Sequence, residues 1–213
     1  HNYNYITIGK GVKRIGSYSF YGVYVSNFIF DGGSELETLA DYAFSHMDGN
    51  DITFPATLSD YGHYAFNGST LTSIRFEPSS KIKTLNANSF NGVTVDNVAL
   101  PDGLTKIASN GYVFRNCHIT NLKIPATLTS AVAVNSFYAG CDIYYVDLDK
   151  DFNVSINLSN CPNLATASIV AMFNALKDRT GMAALSITLG SANLAKVTDA
   201  DIQVATNKNW TVS

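Results

Sequence analysis

The segment with the best spacing for metal chemistry is DLDKDFN, which has carboxylate or amide side chains at alternate positions: Asp147, Asp149, Asp151 and Asn153. Oxygen ligands spaced in this way can converge on one calcium ion, as in an EF-hand loop. The segment departs from that loop, because Phe152 stands where the turn glycine belongs and Leu158 where the bidentate glutamate belongs. We therefore expect a solvent-facing acidic strand edge here and no metal.

The histidines do not suggest a shared catalytic or metal site. His46, His63 and His118 lie two residues after, three before and four after the nearest recurring phenylalanine, so stacked repeats would not bring them together. The chain has neither a nucleophile-elbow motif nor a glycine-rich phosphate loop. We expect no enzyme activity and no cofactor.

These candidate residues are carried by a sequence repeat whose marker is a small or β-branched residue followed by phenylalanine. The successive gaps between its phenylalanines are 24, 22, 24, 24 and 23 residues. The marker phenylalanines are Phe20, Phe44, Phe66, Phe90, Phe114 and Phe137. A period in the low twenties is typical of arrays in which each unit must stack on its neighbours to bury its apolar face. Glycine, His46 or Asn116 follows two residues later in five copies, which predicts a left-handed turn there.

Each repeat also contains two apolar residues separated by one other residue, the alternation of a β-strand with one buried face. The pairs are Phe28/Phe30, Ile52/Phe54, Ile74/Phe76, Val98/Leu100, Leu122/Ile124 and Val146/Leu148, with Ile6/Ile8 in a leading half repeat. The spacing predicts a solenoid over residues 1–158, with about six repeats of 22–24 residues.

The residue directly before each apolar pair and the residue between its two members form two outward columns on the predicted sheet. One column is Tyr5, Asn27, Asp51, Ser73, Asn97, Asn121 and Tyr145, and the other is Thr7, Ile29, Thr53, Arg75, Ala99, Lys123 and Asp147. Such rows form the binding surfaces of solenoids. The candidate binding residues are Tyr5, Asn27, Asp51, Arg75, Asn97, Asn121, Lys123, Tyr145 and Asp147. The alternative is an ordinary solvent-facing surface, which the mixed character of both columns favours.

The repeat pattern L-x-x-I-x-x-x-A-F-x-G-C-x-x-L-x-x-I-x-I-P, over about residues 5–158, resembles the BspA-like leucine-rich repeats of bacterial surface proteins. The resemblance implies an α/β solenoid, a curved right-handed superhelix with a parallel β-sheet on one face. It also implies secretion or cell-surface display, and binding to proteins or glycans of a host or a neighbouring cell.

Cys117 and Cys141 are 24 residues apart, which is one repeat, so they are close enough in a stack for a disulfide. The equivalent positions elsewhere are mostly apolar: Val23, Met47, Ser69 and Val93. Free buried thiols are therefore the favoured alternative, and the disulfide stays open.

Residues 159–213 are predicted to be a C-terminal cap that shares the core of the repeats. Ile169, Met172, Phe173 and Leu176 have the spacing of an amphipathic helix. A strand at 185–189, a helix opened by a Thr198–Asp201 capping box and a last strand at 210–212 follow. The resemblance extends to the C-terminal segment often found in BspA-like proteins, although Asn209 replaces the glycine expected before Trp210.

Composition sets the limits on function. The net charge is -3 and the chain has no basic run, which argues against nucleic acid as a partner. No apolar stretch is long enough to span a membrane. The chain begins at His1, so we expect a processed product or a fragment.

We expect a non-enzymatic extracellular or cell-surface interaction module that binds a protein partner through its sheet face. The expected partner is of the adhesion type, a host extracellular-matrix protein or another surface protein. The alternative is a glycan-binding or polysaccharide-active solenoid. The polysaccharide-active form of that alternative needs a cluster of Asp, Lys or Arg on one face, and only Arg75, Lys123 and Asp147 share a column.

Overall fold

The computed structural model describes residues 2–108, 111–137 and 140–213, and their long strands form one parallel sheet. In chain order, the strands up to the C-terminal segment are β1 (Asn2–Ile8), β2 (Arg14–Ile15), β3 (Tyr24–Phe30), β4 (Thr38–Leu39), β5 (Asp48–Phe54), β6 (Asp60–Tyr61), β7 (Thr70–Phe76), β8 (Thr84–Leu85), β9 (Thr94–Ala99), β10 (Lys106–Ile107), β11 (His118–Ile124), β12 (Asp142–Leu148) and β13 (Ile156–Asn157). The sheet has the order β1-β3-β5-β7-β9-β11-β12. Short strands pair as β2-β4-β6 and β8-β10. The prediction of a solenoid with a parallel sheet is confirmed.

The recurring phenylalanines form a continuous column inside the stack. Neighbouring rings lie 5.2–5.7 Å apart, with interplanar angles of 10–17°. The five rings from Phe44 to Phe137 are fully buried, whereas Phe20 at the end of the column is only half-buried. Because a ring in the middle contacts a neighbour on each side, it contributes more buried apolar area than the ring at the end.

The turns have left-handed backbone at two positions of the repeat. The predicted position has φ between 50° and 73° at Gly22, His46, Gly68, Gly92, Asn116 and Gly140. The second position lies two residues before the phenylalanine, where Tyr18, Tyr42, Tyr64, Asn88 and Tyr112 have φ between 48° and 58°. The rings of Tyr18, Tyr42 and Tyr64 stack at 4.8–4.9 Å, and this contact offsets part of the cost of the unusual backbone.

The C-terminal segment contains the α-helices of the described residues. Its elements are α1 (Thr166–Ala175), β14 (Leu185–Thr188), α2 (Ser191–Leu194), α3 (Asp199–Thr206) and β15 (Trp210–Val212). The predicted capping box is present, since Thr198 Oγ1 accepts from the Asp201 amide at 3.2 Å and the Asp201 carboxylate accepts from the Thr198 amide at 2.9 Å. Asn209, in the place of the expected glycine, has φ 61°. The short helix α2 was not predicted.

Packing continues from the repeats into this segment. Strand β13 pairs with β14, and β14 with β15, so one small sheet joins residues before and after position 159. Helix α1 contacts β12, and its Ile169, Met172 and Phe173 are fully buried in the same core as the phenylalanine column. Lys208 Nζ donates to three carbonyls at the end of α1, which satisfies orphan acceptors of that helix. The division into a 1–158 solenoid and a 159–213 cap stays a prediction.

Candidate functional site

The strand register builds the outward columns on the face of the seven-stranded sheet. In parallel pairing, Asp51 is opposite Ser73, Ser73 opposite Asn97, Asn97 opposite Asn121 and Asn121 opposite Tyr145. In the second column, Thr53 is opposite Arg75, and Lys123 lies between Ala99 and Asp147. Helix α1 packs against the last strand, β12, and most residues of both columns are exposed. The outer face is therefore open along most of its length.

Six of the nine candidate binding residues line one groove on this face. The groove has a volume of about 390 Å³ and is lined by Arg75, Asn97, Val98, Ala99, Asn121, Lys123, Tyr145 and Asp147. Ala99 has the smallest side chain in its column, and the longer Arg75 and Lys123 lie one strand to each side of it, so the groove deepens there. We call it the central groove.

The polar groups of the central groove are held by neighbours. Lys123 Nζ lies 3.2 Å from the Asp149 carboxylate, and Asn121 Nδ2 donates to Asn97 Oδ1 at 3.0 Å. The hydrogen bond to Asp149 raises the pKa of Lys123, so this amine stays charged at neutral pH. Arg75 lies 3.9 Å from Asp51, a longer and weaker ion pair on an exposed surface. The groove thus presents positive, negative and amide groups whose positions are partly fixed before any ligand arrives.

The other three candidate residues lie outside the central groove. Asn27 and Asp51 line a second cavity of about 330 Å³ with Ile29, Thr53 and Glu77, nearer the first strand. Tyr5 is on β1 and is 68% exposed. The predicted face is therefore divided into two concave regions with an exposed tyrosine beyond them.

One member of the predicted outward columns, Ser73, is not exposed. Ser73 is fully buried, and its hydroxyl donates to Asp51 Oδ1 at 2.5 Å. It lies between Asp51 and Asn97 on the neighbouring strands. Ser73 thus fixes the orientation of Asp51 and offers no surface to a partner.

A comparison with known protein families identifies the array. The family model for the BspA type leucine rich repeat region matches the chain in 6 copies, over residues 1–111 and 83–180. The chain belongs to the BspA-type leucine-rich repeat family.

Among solved structures, this BspA-type chain is similar to the pneumococcal vaccine antigen PcpA. The TM-score is 0.55 and the sequence identity is 24%. The alignment covers 88% of this chain and 47% of PcpA, so the chain spans about half the length of that protein. The likeness shows a shared fold. No curated protein matches the chain.

Sequence reasoning missed a third outward column of the BspA-type sheet. The long strands begin before the apolar pairs, and their first residues align as Tyr24, Asp48, Thr70, Thr94, His118 and Asp142. Here His118 Nδ1 lies 2.8 Å from Asp142 Oδ2, and Asn163 Nδ2 donates to Asp142 Oδ1 at 2.9 Å. The hydrogen bond from Asn163 and the contact with His118 lower the pKa of Asp142. The mostly polar residues four positions before each apolar pair were the signal for this column.

The residues of the acidic segment at the end of the last long strand each have different partners. Asp149 pairs with Lys123, and Asn153 Oδ1 accepts from Arg179 Nη1 at 2.6 Å. Asp147 lines the central groove, and Phe152, in the place of the EF-hand glycine, is fully buried. The described residues contain no group of three or more His, Cys, Asp or Glu side chains that could hold a metal ion.

The three candidate histidines have different partners, whereas two of the cysteines are in contact. His46 contacts the Tyr21 ring, His63 Nδ1 lies 3.2 Å from the Ala87 carbonyl, and His118 pairs with Asp142. Cys117 and Cys141 are free thiols with their sulfurs 3.4 Å apart. Within the described part of the chain, no helix has the length and apolar character needed to cross a membrane.

Proposed function

We propose that this BspA-type array is a non-enzymatic interaction module that binds a protein partner through the outer face of its sheet. The observation that carries the proposal is the central groove, where Arg75, Asn121, Lys123, Tyr145 and Asp147 line one concavity on an open face. Solenoids bind partners on extended surfaces of this kind.

The chemistry of the central groove suits a protein surface of mixed charge. Arg75 and Lys123 offer positive groups, and Asp147 offers a negative group one strand beyond Lys123. Tyr145 is half-buried, so it has little rotamer freedom to lose when a partner covers it. Tyrosine and arginine are also enriched among the residues that dominate binding energy at interfaces.

We further propose that the module works outside the cell, secreted or attached to a cell surface. Membership in the BspA-type family and the shared fold with a vaccine antigen support this location. A host extracellular-matrix protein or another surface protein is the partner class that such a location offers. The negative net charge and the absence of a basic run argue against nucleic acid.

A glycan is the second candidate ligand, and one observation favours it. Around Tyr145, the groove alternates donors and acceptors, with the Asn97–Asn121 amide pair beside Lys123 and Asp147. Sugar hydroxyls both donate and accept, and their apolar ring faces pack on tyrosine. The groove volume of about 390 Å³ lies within the range of small-ligand sites.

The test is a pulldown against extracellular-matrix and surface proteins, run alongside a glycan array with the same purified chain. A captured protein is then titrated with the variants Arg75→Ala and Tyr145→Ala, which should weaken binding by at least about tenfold if these residues are central to the interface. The matched controls are Arg14→Ala and Tyr21→Ala, two exposed residues away from the sheet face.

The outcomes separate the candidates. Protein capture that is lost in Arg75→Ala and Tyr145→Ala but kept in both controls supports the proposal. Binding on the glycan array that is lost in Arg75→Ala and Tyr145→Ala, with no protein captured, supports the glycan as the ligand. Equal affinity for all four variants would place the binding site elsewhere and contradict both candidates.

A further inference from the structure

Three thiols form a column where the last repeat meets the C-terminal segment. The Sγ atoms of Cys117 and Cys141 are 3.4 Å apart, and those of Cys141 and Cys161 are 3.3 Å apart. All three are free, and none is more than 2% exposed. Cys117 and Cys141 directly precede β11 and β12, while Cys161 lies in the loop before α1.

The column makes Cys141 a partner shared by both other thiols. The first residues of β11 and β12, His118 and Asp142, are opposite each other in the sheet. Backbones of adjacent parallel strands are about 4.8 Å apart, within the Cα separation that a disulfide accepts. A disulfide has sulfurs about 2.05 Å apart, so either pair must close by roughly 1.3 Å. That closure comes from side-chain rotation, a local backbone shift or both.

The two possible partners of Cys141 differ in freedom to make that shift. Cys117 is adjacent to β11, which is fixed between β9 and β12 on both of its edges. Cys161 belongs to an irregular loop, where its backbone amide donates to Leu158 and its carbonyl accepts from Asn193. The Cys161 side can therefore move without breaking a ladder of the seven-stranded sheet.

A cavity lies next to Cys141 and the loop that carries Cys161. It has a volume of about 430 Å³ and is lined by Gly140, Cys141, Asp142, Ser159, Asn160, Pro162 and Asn163. Cys141 thus borders a cavity whose lining includes four residues of the loop that carries Cys161. A small oxidant that enters this cavity comes next to Cys141.

We propose that Cys141 and Cys161 are an oxidation site, which hydrogen peroxide converts into a disulfide. The Cys141 sulfur attacks one peroxide oxygen, the O–O bond breaks, and a sulfenic acid and one water form. The Cys161 sulfur then attacks the Cys141 sulfur and displaces the hydroxyl group as a second water. Both thiol protons leave in the two waters, so two thiols are oxidised by two electrons and one peroxide is reduced.

The surroundings make this a slow reaction. The contact with Cys117 lowers the pKa of Cys141, but the contact with Cys161 and burial raise it more, so the net shift is upward. The contact with Cys141 and burial raise the pKa of Cys117 well above its ordinary value. Since the thiolate is the reactive form, oxidation should take longer than at a low-pKa sensor cysteine and should accelerate at higher pH.

The product would fasten the last repeat to the C-terminal segment. The bond joins residues 20 positions apart, one before β12 and one after β13. Closing a loop of that length restricts the unfolded chain, and the expected rise in Tm is about 5–10 °C. Cys117 stays reduced, in contact with the new bond.

The test compares the full chain kept in reductant with the same chain after prolonged peroxide treatment and removal of the oxidant. We expect the intact mass to fall by two hydrogens, one thiol to titrate under denaturing conditions, and peptide mapping to give a Cys141–Cys161 link. Cys117→Ser should keep the link and Cys141→Ser should abolish it. Mapping of the unmodified sequence decides the matter even if a variant folds poorly.

The results that would overturn the proposal are equally specific. Three thiols that still titrate after peroxide, or an added-oxygen product without a cross-link, would show that the column is inert as a disulfide site. A Cys117–Cys141 link in the unmodified sequence would contradict the choice of Cys161. A link only between chains would contradict an intramolecular site.

Discussion

The interior of the stack and the outer face of the sheet follow opposite rules. Inside, one residue type recurs at each step, and each of its six phenylalanine rings stacks within 5.7 Å of the next. Outside, the residue type changes at nearly every step, from Asp51 through Ser73 and Asn97 to Tyr145. A uniform column serves stacking, and a varied column can serve recognition, because only variation distinguishes one place on the face from another.

The largest expected effect comes from exposing the interior of the stack at its C-terminal end. Truncation after Ser159 would remove the buried Ile169, Met172 and Phe173 and the strand that pairs with β13. We expect aggregation or fraying, because a large apolar cross-section would face water. Hydrogen exchange should show protection lost first at residues 137–158 and progressively less toward Phe20. If residues 5–158 alone stay monomeric with full protection, the cap prediction is wrong and the tail is a domain of its own.

The next largest effect concerns a single ring within the column. Phe90→Ala should cost about 3–5 kcal/mol of unfolding free energy, because it removes a fully buried ring between Phe66 and Phe114 and leaves a cavity. Denaturant unfolding gives this value. Phe20→Ala is the matched control and should cost clearly less, since Phe20 is half-buried at the end of the column. Equal losses would mean that position in the stack does not matter.

The interior was predictable from the sequence because stacking makes equivalent positions share one environment. That logic found the phenylalanine column and placed His46 and Asn116 in the left-handed slot. It also found the capping box at Thr198, where the signal is local. In each case the residue type alone indicates what the position requires. The requirement is an apolar side chain, tolerance of a positive φ, or a side chain that caps a helix.

The face was predictable only in part, because periodicity places a residue on a side without fixing its exposure or its neighbours. Ser73 has the outward phase but is buried, between Asp51 and Asn97 on the neighbouring strands. The column that contains Asp142 was missed because the strands begin earlier than the apolar pairs. The contact of Cys161 with Cys141 was missed because the repeat spacing ends before Cys161. The left-handed tyrosines were missed because aromatic residues rarely adopt that conformation.

A smaller effect, on the face, should depend on pH. The folded pKa of Asp142 lies below that of an unfolded carboxyl group, so the shift stabilises the fold above about pH 4 and this contribution is lost as pH falls through the folded value. Asp142→Asn should lose at most about 1 kcal/mol at neutral pH, because the pair with His118 is largely exposed. Urea unfolding between pH 7 and pH 3 should show wild type and variant converging at low pH.

The control for this prediction is Asp48→Asn, in the same outward column. No side-chain hydrogen bond of Asp48 is seen within the described ranges. A difference between Asp142→Asn and wild type that grows as pH falls would have the wrong sign and would contradict the role assigned to Asn163 and His118.

The smallest expected effect is that of calcium, which should leave the Tm unchanged. A bound ion would need the acidic segment to converge, but Asp149 is paired with Lys123 at 3.2 Å and Asn153 with Arg179 at 2.6 Å. Phe152 is buried where a calcium loop needs a glycine, so the backbone cannot fold around an ion without removing that ring from the core. Thermal scans with calcium, magnesium or a chelator test this. An ion at about 100 times its dissociation constant would add roughly 2.7 kcal/mol, which such scans detect easily. A rise with calcium alone that disappears in Asp151→Asn would show that the acidic segment binds the ion, and that this stretch serves ligand binding after all.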